Sequence, residues 1–107
     1  MSRLARIFHA LGNDARLTIL KEIVKRREAC VCEVTEATRM GQSAVSHHLA
    51  VLRNAGIVRD RKSGVWVIYS IDRELLQSEA GAFISDLMKS VEEAPPEAAE
   101  VRLAMRA

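Results

Sequence analysis

Two apolar patterns of helical period meet across a link of only two residues, Met40-Gly41, and the second gives way at Ala55-Gly56 to a pattern of period two. Few small folds accept that order. So short a link crosses two helices steeply, as in a helix-turn-helix, and a β-hairpin straight after the second helix adds a wing beside it. Within Gln42 to Asn54, Val45, Leu49 and Leu52 share one face, while Ser43, Ser46, His47 and Arg53 lie opposite. From Ile57 to Ile71 the chain alternates, or is β-branched and aromatic, around a basic tip at Lys62-Ser63-Gly64.

The rest of the chain reads as helix. Leu4, Ile7, Phe8 and Leu11 recur at i, i+3, i+4, i+7, and Gly12 ends that segment. Asn13 or Asp14 caps a second helix in which Leu17, Leu20 and Val24 share one face, with Ile19 and Ile23 beside them. Cys30 to Met40 reads as a third, shorter helix carrying Val31, Val34 and Ala37. Asp72 caps a last long helix striped by Leu76, Ala80, Phe83, Ile84, Leu87 and Val91, and Pro95-Pro96 ends it. The expected fold class is mainly α with a β-hairpin wing, a winged helix-turn-helix. Residues 1–91 are expected to form the DNA-binding and dimerisation domain, and 92–107 a flexible or loosely helical tail. The first and last helices carry more apolar surface than so small a core needs, which predicts a symmetric homodimer through these terminal helices.

Composition agrees with one aliphatic core. The 107 residues are 49% hydrophobic but only 4% aromatic, so Leu, Ile, Val and Ala must fill the interior. The modest net charge of +2 conceals an asymmetry: residues 1–71 hold 12 Lys and Arg against 6 Asp and Glu, and the remainder 4 against 8. A basic front half predicts an anionic partner. No apolar run approaches the roughly 18 residues a membrane span requires, and no signal-peptide pattern opens the chain, so no membrane partner and a cytoplasmic location are expected. Cys30 and Cys32 stand too close in sequence to staple a fold and read as reduced thiols.

These features converge on double-stranded DNA. Gln42, Ser43, Ser46 and His47 are small or polar side chains on the leading half of the second helix, suited to hydrogen-bonding base edges in the major groove. Arg53, with Arg59, Arg61 and Lys62 on the hairpin, supplies charge for the flanking phosphates. No glycine-rich anion cradle, metalloprotease motif or nucleophile elbow accompanies the cysteines, so an enzyme is not expected. Near the start of a helix, Cys30 and Cys32 are placed to bind a soft metal as thiolates.

Four stretches resemble the ArsR/SmtB family of metal- and metalloid-responsive repressors: ALGNDARLTIL (10–20), EACVCEV (28–34), QSAVSHHLAVLRNAGIV (42–58) and GVWVIYSI (64–71). The SxxSHHLxxLRxAG pattern of the third is the most specific. The resemblance implies a winged-helix homodimer that holds an inverted-repeat operator until an inducer binds, with half-sites about one helical turn apart. It also implies that Cys30 and Cys32 are the inducer's thiolate ligands and that trivalent arsenic or antimony, or another soft metal, is the inducer, with no permanent cofactor. The third cysteine usual in the family's arsenic sensors is here Thr35. Three completions stay open: His9 or Glu33, a water or external thiol, or a group from a second subunit. No histidine follows His48, so the family's zinc site on the last helix is not expected, and without a cysteine-bearing N-terminal extension neither is a four-thiolate cadmium site. A thiol-redox or sulfide sensor of the same fold is the alternative. It ranks lower because helical residues two apart do not face each other.

Overall fold

In the computed structural model, which describes residues 1–93, three helices start where a side chain satisfies a free backbone N–H group. Helix α1 (Arg3–Leu11) starts at Ser2, whose Oγ accepts from the Ala5 N–H at 3.1 Å. Helix α2 (Asp14–Arg26) starts at Asn13, whose Oδ1 accepts from the Arg16 N–H at 3.0 Å. Then follow β1 (Glu28–Cys30), α3 (Val31–Thr38), α4 (Gln42–Asn54), β2 (Val58–Ser63) and β3 (Trp66–Ile71). Asp72 caps α5 (Arg73–Leu76), which passes through a π-helical turn (Gln77–Gly81) into α6 (Ala82–Glu93). Helix α4 has the bounds read from the sequence. Of the expected tail, residues 94–107 lie outside the described residues.

Strand β1 is a correction to the sequence reading, which began a helix at Cys30. Cys30 is extended (φ −88, ψ 167) and caps α3, while β1 pairs antiparallel with β3 through Ala29↔Tyr69 and Cys30↔Ile68. The sheet order is therefore β1-β3-β2. Ser63 pairs with Trp66 across Gly64-Val65, and Gly64 has φ 63, the positive value that the first position of a two-residue hairpin turn of the II′ type requires.

The core is aliphatic as expected. Ile7, Ile19, Ile23, Val34, Val45, Leu49, Leu52 and Ile57 have no exposed surface. On α2, however, the face that packs is Arg16, Ile19 and Ile23, whereas Leu17 is 42% and Val24 64% exposed. Both stripes have i, i+3, i+7 spacing, so period alone does not choose between them. Gly56 seals the junction between α4 and α5: its φ is +83, and a Cβ there would stand 2.7 Å from Leu75 Cδ1. Along α1, Ile7 and Ala10 are buried and Phe8 and Leu11 pack against the core, so that stripe is largely used within the chain. Helix α6 buries no residue; Phe8 and Phe83 meet edge to face at 5.8 Å, and Ile84, Leu87, Met88 and Val91 stand exposed.

Candidate nucleic-acid interface and thiol site

The turn between α3 and α4 is residues 39–41, one longer than the sequence suggested. Arg39 adopts a left-handed conformation (φ 60) and donates its N–H to Thr35 O at 2.9 Å, and the Met40 N–H reaches Thr38 Oγ1 at 3.3 Å. These bonds end α3 abruptly and let α4 begin after a turn of three residues. Val45, Leu49 and Leu52 seat α4 in the core, which leaves Gln42, Ser43, Ser46 and His47 exposed on one side. His48 turns inward, its Nδ1 3.3 Å from Arg16 Nη1. Arg16 is itself buried and donates through Nε to Ala10 O at 2.6 Å. Sequence reasoning passed over Arg16, although it shares the i, i+3, i+7 register of Ile19 and Ile23.

The arginines expected on phosphates are exposed and each engages a carboxylate. Arg53 Nη1 lies 3.2 Å from Asp60 Oδ2, Arg59 Nη2 3.1 Å from Asp72 Oδ1, and Arg61 Nη2 2.9 Å from both oxygens of Glu28. Exposed pairs of this kind hold little net energy, so exchanging a carboxylate for a phosphate is cheap. The pairs also orient the wing: Arg61 ties β2 to β1 across the sheet, and Arg53 ties α4 to β2. Lys62 is exposed beside the turn of the hairpin.

Strand β1 delivers the cysteines. Cys30, buried, and Cys32, exposed, bring their sulfurs to 2.9 Å because Cys30 is extended rather than helical. This removes the geometric objection to joining them by oxidation. Glu33 accepts from the Cys30 N–H at 3.0 Å and pairs with Arg26 at 3.4 Å, and the first of these bonds holds its carboxyl below the usual range. Burial first, and the bond with Cys32 second, push the Cys30 thiol above the ordinary cysteine value, outweighing the Glu33 N–H. The helix start therefore does not make Cys30 a resting thiolate, as its position in sequence had suggested. Thr35 Oγ1 is buried without a hydrogen-bond partner, and among the described residues no group of three His, Cys, Asp or Glu is placed to hold a metal ion. Of the open completions, Glu33 sits beside the thiols with its oxygens already engaged.

A cleft of about 200 Å³ has both cysteines in its lining. Cys30, Val31, Cys32 and Gln42 line it together with Val65, Trp66 and Val67 of the wing, so the lining is predominantly apolar. The first residue of α4 and the tip of the wing thus border the same cleft as the two cysteines.

A polar, exposed helix seated after a tight turn and flanked by a basic hairpin defines a winged helix-turn-helix DNA-binding protein. The model for the arsR family of bacterial regulatory proteins matches residues 13–60. Over 91 residues, 85% of this chain and 67% of the relative, the chain is 37% identical to the arsenic resistance transcriptional regulator ArsR1 of Pseudomonas putida. It is 40% identical over 70 residues, 65% of this chain and 58% of the relative, to the cadmium resistance regulatory protein CadC homolog of Staphylococcus aureus. Among solved structures, the homodimeric winged helix-turn-helix DNA-binding domain of a Mycobacterium bovis protein superposes with a TM-score of 0.64 at 29% identity, covering 87% of this chain and 82% of that one. The chain belongs to the arsR family. Its relatives are transcriptional regulators and not enzymes. Among the described residues no helix is long and apolar enough to cross a membrane.

Proposed function

We propose that the protein is a homodimeric transcriptional repressor that reads an operator with the leading half of α4 and lets go when trivalent arsenic or antimony bonds to Cys30 and Cys32. One observation carries this reading: the two thiols share a cleft with Gln42, the first residue of the reading helix, and with Trp66 of the wing. A ligand seated on the sulfurs bears on both DNA-contacting elements at once, and a small displacement of either changes how the side chains meet the groove. Gln42, Ser43, Ser46 and His47 then read bases, and Arg53, Arg59, Arg61 and Lys62 hold phosphates.

Support comes from relatives named for arsenic resistance, while the relative named for cadmium keeps other thiophilic ions within reach. The dimer is supported by the exposed stripe of α6 and by a homodimeric structural neighbour. Residues 1–91 serve both tasks in this reading. Fluorescence anisotropy of the protein on its own promoter fragment, titrated with arsenite, antimonite, cadmium and zinc, tests it. Release by the two metalloids at the lowest concentrations is the expected result; release by zinc alone would sink the reading. The 2.9 Å sulfur contact also favours a second reading, in which an added oxidant takes two electrons and two protons from the thiols to form a disulfide and release DNA. Release by diamide with none by metalloids selects it.

A further inference from the structure

The apex of the wing is apolar where its flank is cationic. Gly64 and Val65 form the turn, and Val65 is 91% exposed, the most of any large apolar side chain among the described residues. Trp66 beside it is 55% exposed, while Arg61 and Lys62 stand on the strand that runs into the turn. A Cβ built on Gly64 would meet nothing within 4 Å, so the apex stands clear of the rest of the chain. The core makes no use of Val65, and leaving it in water forgoes the gain from burying it. Val65, Trp66 and Val67 border one cleft with Gln42, which places the apex at the same end of the molecule as the first residue of α4. With α4 in the major groove, a hairpin held at its leading end crosses the flanking phosphate strand, where Arg61 and Lys62 serve, and its apex meets the minor groove beyond.

Resting on the reading of α4 as the operator-binding helix, we infer that Val65 is a specificity-determining residue that enters the minor groove beside the half-site and selects A·T over G·C pairs there. That groove is about 6 Å wide, which admits a bare turn carrying one β-branched side chain. On an A·T pair Val65 packs against the adenine C2–H. On a G·C pair the guanine N2 amino group stands in that place, and an apolar side chain both crowds it and takes away its hydrogen bond to water without returning one. Selectivity then arises at base pairs that Gln42, Ser43, Ser46 and His47 do not touch.

Inosine separates the two grooves, because an I·C pair shows the major-groove face of G·C but lacks the amino group. Fluorescence anisotropy on promoter fragments whose pairs flanking the half-site are made A·T, I·C or G·C in turn tests the inference. Wild type is expected to bind I·C flanks like A·T flanks, and about tenfold more tightly than G·C flanks. Val65→Asn, which a turn of this type accepts after its glycine and whose carbonyl can take a hydrogen bond from the guanine amino group, should bring the three together. Trp66, the single tryptophan, should become less accessible to acrylamide on A·T-flanked DNA. Equal wild-type affinity for I·C and G·C flanks, or a difference that Val65→Asn leaves intact, overturns the inference and leaves α4 as the reader. Protection of Trp66 that instead rises with protein concentration in the absence of DNA assigns the apex to a second copy and overturns it too. Equal affinity for promoter and random DNA overturns the inference and the reading of α4 together.

Discussion

A thiol kept protonated by burial binds a soft ion only by surrendering its proton, and Cys30 is in that position. Because its folded value is raised, the proton is still present at neutral pH. The metalloid's hydroxyls carry the thiol protons away as water, so calorimetry of arsenite binding in buffers of different ionisation enthalpy should show no net proton release near neutral pH, whereas cadmium, which brings no hydroxyl to spare, should release protons from the thiols. Proton release on cadmium binding that Cys30→Ser leaves unchanged would mean that Cys30 is not a ligand. Thr35 makes the complementary case: Thr35→Cys places a sulfur one turn beyond Cys32 and should raise affinity for inorganic arsenite about tenfold or more. His48 responds to acid in its own way. Burial first, then the Arg16 and His47 charges, hold its imidazole below the ordinary histidine value. The unfolded chain therefore takes up that proton first, and stability falls as pH drops through the unfolded value. His48→Asn, which keeps an acceptor for Arg16, should flatten this slope in thermal melts taken across that range.

At the scale of elements, α4 separates seating from reading. Ser46→Ala or His47→Ala should weaken binding to the operator by about 1–3 kcal/mol and leave salt-dependent binding to random DNA unchanged. Equal losses on both DNAs would return these side chains to a plain solvated face. The seam between α4 and α5 is tighter. Gly56→Ala forces a left-handed residue against Leu75 and should cost about 1–3 kcal/mol in denaturant unfolding, with the helix content kept. Elements with long periodic patterns were legible in the sequence: α4 to the residue, the hairpin, the capping role of Asp72, and the cap of α2 to one of two neighbours, of which Asn13 serves. Strand β1 was not, because three residues carry no readable period and its pairing with β3 is a contact across 40 positions. That one omission reversed the geometry of the thiol site, which needs an extended Cys30 for the sulfurs to meet. The cleft was equally hidden, since it joins the ends of three elements far apart in the chain.

For the whole molecule, the apolar stripe of α6 has no covering within the described chain, and a second copy is the proposed cover. Sedimentation should find a dimer for the wild type and a monomer for Leu87→Glu, whose exposed position spares the fold; a wild-type monomer would remove the two-fold operator from the account. With the dimer in place, two α4 helices face successive turns of one groove, and two thiol clefts sit where each helix and wing begin. The most direct measurement compares wild type with Cys30→Ser/Cys32→Ser on a labelled promoter fragment as a trivalent arsenical is added. Release of the wild type, with the serine variant bound at full affinity throughout, is the predicted result. Release of both at the same concentration would contradict the link between the thiols and the reading helix.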